Sequence, residues 1–340
     1  MRVLVAMSGG VDSSVAAARL VADGHEVTGV TLKLWGGDSD SGCCSVSDVE
    51  DARRVAAQLD IPHYVFNFAD DFDTHVVEPY VAAHRVGQTP NPCVECNRHI
   101  KFARLFERAQ QMGFERLATG HHARISSDGG VFRLLRGTDP AKDQSYVLYM
   151  LTQRELAQTW LPMEGLTKAE VYDEAARLGL RTAAKPESMD VCFIQRGRRA
   201  DFLGERIPMT PGVIESTDGS VLGHHQALEM VTIGQRRGLG IAAEGRRYVI
   251  DIRPDEGKVV LGTESDLLVD SVELRDLTFT AARPTGRTIT AQCQAHGTAH
   301  AATLDGSTVH FESPTQRVAP GQVVAIYDGD ECLGGGIVAR

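Results

Sequence analysis

The chain has no apolar run long enough to span a membrane, and Met1–Met7 leads straight into a strand-like stretch without the layout of a secretion signal. The expectation is a cytoplasmic protein with no membrane partner. Positive charge is not in excess. Thirty-five Lys and Arg against 45 Asp and Glu leave a formal charge of −10, which argues against wrapping nucleic acid by bulk electrostatics. Local basic clusters remain, at Arg196, Arg198 and Arg199 and at Arg236-Arg237, but such clusters are more often solvated faces than binding sites. The seven cysteines are Cys43, Cys44, Cys93, Cys96, Cys192, Cys293 and Cys332. Their odd number and the missing export signal exclude a disulfide framework and point to thiol chemistry in a reducing compartment. Both common nucleotide fingerprints are missing: no glycine-rich loop ends in Gly-Lys-Ser/Thr, and there is no Gly-x-Gly-x-x-Gly. Neither internal repeats nor low-complexity segments are found.

What is present begins with Ser8-Gly9-Gly10-Val11-Asp12-Ser13-Ser14. An apolar run, Val3–Met7, precedes it and reads as a buried strand. Val11, Val15, Ala18 and Val21 follow at helical spacing. The stretch is therefore a glycine-bearing turn between a strand and a helix N-terminus. Backbone N–H groups and the helix dipole favour an anion there, and the glycines let a phosphate approach closely. An ordinary strand-to-helix turn is the bland alternative. Its place in the first strand–helix unit favours the phosphate reading, because phosphate sites sit at the carboxyl ends of strands in such sheets.

At 340 residues, with 42% apolar and 24% charged side chains, the chain is long enough for two or three globular domains. Strands are expected at 26–34, 63–68 and 116–119. Helices are expected at 46–59, 70–85, 101–112, 153–156 and 168–178, with Pro79 a mark against continuity of the third-strand helix. This alternation predicts an α/β domain with a doubly wound, mostly parallel sheet. After Phe202 long helical periods give way to short β-like runs split by turn signals such as Pro254-Asp255-Glu256-Gly257. The expected division is 1–198 for the α/β domain, 199–264 for a small central β-rich domain and 265–340 for a C-terminal β-barrel-like domain.

Thr89-Pro90-Asn91-Pro92-Cys93-Val94-Glu95-Cys96-Asn97 is the second informative stretch. Two prolines stiffen the backbone before a Cys-x-x-Cys, and a helix is expected to begin close to Cys96, where its N-terminus would favour the thiolate. A structural metal knuckle and a redox pair are alternatives, although one Cys-x-x-Cys is not a four-ligand zinc site. Cys192, in Met189-Asp190-Val191-Cys192-Phe193-Ile194, approaches the pair only if the fold brings it there.

These blocks together resemble the tRNA-specific 2-thiouridylases, a branch of the N-type ATP pyrophosphatases whose pyrophosphate loop is Ser-Gly-Gly-x-Asp-Ser. Ala118-Thr119-Gly120-His121-His122, Lys142-Asp143-Gln144-Ser145-Tyr146, Gly234-Gln235-Arg236-Arg237-Gly238-Leu239-Gly240 and Cys332-Leu333-Gly334-Gly335-Gly336 match in the same order, so the resemblance covers essentially the whole chain. It implies ATP binding by Ala6, Met7, Ser8, Gly9, Gly10, Val11, Asp12, Ser13, Leu32 and Gly120, with Mg2+ accompanying the nucleotide. ATP would adenylate the 2-carbonyl oxygen of a wobble uridine. Cys192 would carry a persulfide loaded by a sulfur donor such as a cysteine desulfurase or a sulfur-relay protein, and Cys96 would be the partner nucleophile. Asn91, Pro92 and Cys93 would meet the target base. His121, Lys142, Asp143, Gln144 and Gln322 would meet tRNA elsewhere, the expected acceptors being tRNAs for Lys, Glu and Gln. An anticodon loop is already single-stranded, so presenting its base is inexpensive.

Two positions depart from the family pattern. Some members have Asp where this chain has Cys93, and three thiols (Cys93, Cys96 and Cys192) would suit a 4Fe–4S cluster with one iron open. Ala295-His296-Gly297 stands where some members have an Arg-Tyr contact to tRNA. Two other readings stay open: an adenylating enzyme with a non-sulfur acceptor, and a redox or iron–sulfur RNA-binding protein regulated by the nucleotide loop. Cys293 and Cys332 read as packed thiols, Cys43-Cys44 as loop residues, and His224-His225 as ordinary histidines with no ligand set around them.

Overall fold

The computed structural model describes residues 1–35, 46–185, 191–195, 197–241 and 245–339. The expectations placed on Cys43, Cys44, Met189, Asp190 and Arg196 lie outside these residues.

The first strands alternate with helices as the periodicity predicts: β1 (Arg2–Ala6), α1 (Val11–Ala22), β2 (Glu26–Lys33), α2 (Val46–Gln58), β3 (His63–Asn67), α3 (Ala69–Phe72), α4 (Glu78–Arg85), α5 (Pro92–Glu95), α6 (Phe106–Gln111) and β4 (Arg116–Thr119). A hairpin, β5 (Ala123–Asp128) and β6 (Val131–Arg136), comes next, then α7 (Gln153–Leu156), β7 (Thr159–Trp160) and α8 (Lys168–Arg177). Strands β1, β2, β3, β4 and β7 form a parallel sheet in the order β3-β2-β1-β4-β7. The chain runs outward from β1 to β3 and returns on the other side at β4. That reversal makes the carboxyl ends of β1 and β4 the switch point, where open α/β sheets bind ligands. Strand alternation explains the burial: Leu4 faces one core cluster, while Val3, Val5 and Met7 face another with Val11, Val15 and Ala52.

Two short π-helical stretches depart from the expected helices. Asp73–Val77 joins α3 to α4, and Cys96–Leu105 joins α5 to α6. Pro79 falls in the first turn of α4, just beyond the π turn, so the chain continues through 69–85 without a break. The second helix starts at Pro92, not near Cys96. Asn91 caps it: its Oδ1 accepts from the backbone N–H of Cys93 at 3.1 Å and of Val94 at 3.4 Å. Proline is favoured at the first helical position because its missing N–H would have had no partner there. Cys93 therefore lies in the first turn of this helix, and Cys96 lies one turn further in, not at the helix start as expected.

Beyond α9 (Arg199–Gly204) a four-stranded sheet forms from β8 (Gly212–Ser216), β9 (Val221–His225), β10 (Tyr248–Arg253) and β11 (Lys258–Gly262), in the order β10-β11-β8-β9. The remaining strands are β12 (Leu268–Phe279), β13 (Ile289–Gln292), β14 (Ala299–Asp305), β15 (Thr308–Gln316), β16 (Val323–Asp328) and β17 (Glu331–Val338). They run β12-β15-β14-β13-β16-β17, and pairing of β12 with β17 closes them into a barrel. The hairpin β5–β6 joins this sheet, with Leu135 and Leu134 opposite Glu331 and Cys332 of β17. One core cluster accordingly runs from Leu4, Ile100 and Phe102 through Leu134, Tyr146 and Tyr149 to Val323, Tyr327 and Cys332.

Candidate active site

The loop after β1 lies at the switch point. Gly9 has φ +72°, and a side chain there would collide with the backbone of Asp48 at the start of α2. Gly10 precedes α1 with no side-chain cap, so the first-turn N–H groups of α1 border the loop. The serines organise the turn: Ser13 Oγ accepts from the Ser8 N–H at 3.1 Å and donates to the Gly10 carbonyl at 3.2 Å, which also accepts from Ser14 Oγ at 2.8 Å. Thr31 of β2 donates to the Met7 carbonyl at 2.8 Å. Gly120, just after β4, presses on α1 so closely that a Cβ would lie 2.7 Å from the Ser13 nitrogen. Ala6, Leu32 and Gly120 lie at the carboxyl ends of the neighbouring strands β1, β2 and β4.

Asp12, in the first turn of α1, is held by two side chains that the sequence did not reveal. Lys168 Nζ lies 2.6 and 2.8 Å from its two oxygens, and His122 Nε2 lies 3.0 Å from Oδ1. Burial alone would raise the Asp12 carboxyl. The hydrogen bonds from His122 and Lys168, with the Lys168 charge, outweigh it and hold the group below the ordinary carboxylate value. Lys168 opens α8 within a capping box formed by Thr167 and Glu170. The capping box was readable in the sequence. The pairing across 156 residues was not. As placed, Asp12 faces two nitrogen groups and does not fit an inner ligand of Mg2+.

Two of the other matched blocks, at 118–122 and 142–146, meet here as well. The His122 N–H donates to Gln144 Oε1 at 2.9 Å, and the Gln144 N–H donates to the His122 carbonyl at 2.8 Å. His121 is buried, its Nδ1 2.7 Å from Thr119 Oγ1, and burial pushes the imidazole well below its usual value, with Lys101 adding to the effect. Asp143 is a buried carboxylate engaged by the N–H groups of Gly137 and Ser145, by Ser145 Oγ and by Arg136 Nη1, at 2.9 to 3.0 Å. Lys142 is half-buried beside it. A cleft of about 340 Å3 lined by Arg124, Arg136, Thr138, Asp143 and Asp330 opens at this point, where the hairpin meets the barrel.

The cysteine stretch is tied to both β-rich regions. Gln322 Nε2 donates to the Thr89 carbonyl at 2.8 Å, the Thr89 N–H donates to the Pro320 carbonyl at 2.8 Å, and Thr89 Oγ1 lies 3.1 Å from Thr232 Oγ1. Pro92 is buried, Cys93 is exposed, and Cys96 is 7% exposed within the large core cluster. Cys192 packs on that same cluster. Its position follows from Phe193, which is enclosed by Trp35, Phe72, Tyr80 and Phe202 at centroid distances of 5.4 to 6.1 Å. The fold therefore brings Cys192 to the cluster that holds Cys96, although 95 residues separate them. Among the described residues, no three His, Cys, Asp or Glu side chains converge as metal ligands. The three cysteines as placed do not fit the ligand set of a 4Fe–4S cluster, and no step below passes through one. Cys293 and Cys332 are buried in the barrel, and desolvation pushes both thiols up to about 12, in keeping with packed thiols.

Three family models match consecutive segments: a tRNA methyl transferase HUP domain over residues 1–196, a tRNA methyl transferase PRC-barrel domain over 200–263 and an aminomethyltransferase β-barrel domain over 269–338. Over its full length the chain is 45% identical to a tRNA-specific 2-thiouridylase MnmA of Herpetosiphon aurantiacus, covering 99% of this chain and 98% of that protein. It is 47% identical to the protein of that name from Mycobacterium avium, covering 100% and 99%. It is 45% identical to that of a Roseiflexus species, covering 100% and 99%. With the pyrophosphate loop at the switch point and the cysteine-bearing segments packed on one core, the chain belongs to the tRNA-specific 2-thiouridylase family.

Proposed function

We propose that the chain is an ATP-dependent tRNA-uridine 2-sulfurtransferase. The observation that carries this reading is the joint placement of the Ser8–Ser13 loop and the segments of Cys96 and Cys192 in one α/β unit. In the first step the 2-carbonyl oxygen of the wobble uridine attacks the α-phosphorus of ATP and pyrophosphate leaves, turning a poor leaving oxygen into AMP. The loop binds the phosphates, Lys168 adds positive charge beside it, and Asp12 keeps that lysine in place. In the second step the Cys96 thiolate attacks Cys192 Sγ of a Cys192 persulfide. The terminal sulfur leaves as hydrosulfide, and the two cysteines are oxidised to a disulfide. Hydrosulfide adds to C2, AMP departs with its electron pair, and loss of the sulfur-bound proton leaves 2-thiouridine.

Mg2+ bound to the phosphates would screen their charge during adenylation. A cysteine desulfurase or sulfur-relay protein is the proposed donor, tRNAs for Lys, Glu and Gln are the proposed acceptors, and a reducing cytoplasm is the compartment this thiol chemistry requires. Asn91, Pro92 and Cys93 are the proposed contacts to the base, with His121, Lys142, Asp143, Gln144 and Gln322 supporting tRNA. Methyl transfer, which the domain names evoke, gives no role to a pyrophosphate loop. One assay tests the proposal: full-length protein with ATP, a persulfide donor and unmodified tRNA should yield AMP and 2-thiouridine in equal amounts. Cys96→Ser and Cys192→Ser should each abolish thiolation while AMP is still formed. Normal thiolation by either variant refutes the assignment.

A further inference from the structure

We infer that Cys93 is a resolving thiol, carrying reducing equivalents from the protein surface to the Cys96–Cys192 pair after each sulfur transfer. The inference rests on the proposed sulfurtransferase reading, in which a turnover ends with Cys96 bonded to Cys192. The Cys96 side of such a bond is closed to an external reductant, because Cys96 is 7% exposed within the core cluster, and Cys192 is half-buried against the same cluster, whereas Cys93 is exposed. A protein reductase must bring its own sulfur into line with the bond it attacks, and the burial of Cys96 with the half-burial of Cys192 hinders that approach compared with the exposed Cys93.

Cys93 is exposed and lies three residues before Cys96. Continuous helical backbone through Pro92–Glu95 and Cys96–Leu105 links the two. Helical geometry sets their Cα atoms about 5 Å apart, inside the span that a disulfide bridges. Asn91 and buried Pro92 fix the backbone at Cys93, and Gln322 and Thr232 hold the residues before it. The thiols of Cys293 and Cys332 stay out of the exchange, being buried in the barrel and protonated.

The exchange is balanced. The Cys93 thiolate attacks Cys96 Sγ, the Cys96–Cys192 bond breaks, and Cys192 leaves as a thiolate ready to be reloaded. The new Cys93–Cys96 disulfide presents Cys93 Sγ at the surface. An external protein dithiol of the thioredoxin type attacks that sulfur, gives up two electrons and leaves both cysteines as thiols.

The test compares reductants within each protein, so that any effect on tRNA affinity cancels. Steady-state thiolation by the full-length enzyme is measured with a protein dithiol and then with dithiothreitol, which is small enough to reach buried sulfur. Relative to wild type, Cys93→Ser should lower the ratio of the two rates at least tenfold. Peptide mapping of wild type after one reductant-free turnover should find Cys93 linked to Cys96, whereas Cys93→Ser should retain Cys96 linked to Cys192. An unchanged ratio, with the Cys96–Cys192 linkage present in the variant, overturns the relay and leaves the sulfurtransferase reading intact. Absence of any linkage between these cysteines in either protein overturns that reading together with the relay.

Discussion

At the scale of single residues, burial and pairing decide which side chains serve the site. Lys168 is 7% exposed and pairs through both oxygens of Asp12, an arrangement that helix propensity and hydropathy do not reveal. Lys168→Met should cut the rate of AMP formation by roughly 10²-fold, the scale typical of a lost charge-stabilising donor, with tRNA affinity in a gel shift changed little. An unaltered AMP rate removes Lys168 from the nucleotide site. Asp12→Ala should act in the same direction, since it releases the lysine. Lys185 is similarly placed: its Nζ bonds Asp48 and Asp51 at 2.6 and 2.7 Å, in the first turns of α2.

His84, packed edge-on to Tyr80 at 4.5 Å, has an imidazole that burial, assisted by the Arg199 guanidinium, lowers to about 3. The unfolded chain takes up this proton near pH 6.5 and the folded chain only near 3. The stabilisation is therefore complete above 6.5 and falls with decreasing pH, by about 1.4 kcal/mol per unit. Between pH 6.5 and 5 this amounts to about 2 kcal/mol, and Asp12 adds a loss in the same direction at lower pH. Urea unfolding should show that His84→Gln flattens the profile by that amount. Parallel profiles for variant and wild type are the contrary result.

At the scale of elements, the helix after the two prolines is where local signals needed careful weighing. The apolar stripe of Phe102, Leu105, Phe106 and Ala109 announced a helix, but its start at Pro92 is set by the Asn91 cap and the proline that follows. Asn91→Ala should destabilise the protein by about 1 kcal/mol. The same change should lower thiolation more than it lowers AMP formation, because it loosens the backbone beneath Cys93. Equal losses in both steps, measured side by side, would assign Asn91 to nucleotide binding instead. The hairpin β5–β6 was not anticipated. Its residues read as a continuation of the α/β domain, and only pairing with β17 gives them their sheet.

For the whole molecule, the barrel is a structural partner of the catalytic unit. Tyr146 donates to the Val323 carbonyl at 2.7 Å, Ser145 Oγ lies 3.0 Å from Tyr327 Oη, and the Arg136 guanidinium stacks 3.7 Å from the Tyr327 ring centre. The glycines of β17 permit this closeness. A side chain at Gly335 would sit 2.9 Å from the Tyr149 ring, and one at Gly336 would sit 2.9 Å from the Arg275 carbonyl. Gln322 extends the connection to the cysteine stretch through the Thr89 carbonyl. Gln322→Ala should reduce thiolation about tenfold at saturating ATP without changing the affinity for ATP, as read by nucleotide titration. A weakened ATP affinity would place the effect in the nucleotide site.

The sequence by itself determined the parallel α/β unit, the pyrophosphate loop and the cysteines as the chemical groups. These rest on local causes: strand and helix periods, glycines where a phosphate approaches, and thiols where the chemistry needs them. The tertiary structure decided the rest. Lys168 reaches Asp12 over 156 residues, Cys192 packs on the core cluster that also holds Cys96 beside the aromatic cage of Phe193, and β17 draws the hairpin at 123–136 out of the first domain. The physical reason is the same in each case. These contacts join segments far apart in the chain, and their stability comes from burial and pairing that exist only once the segments have packed.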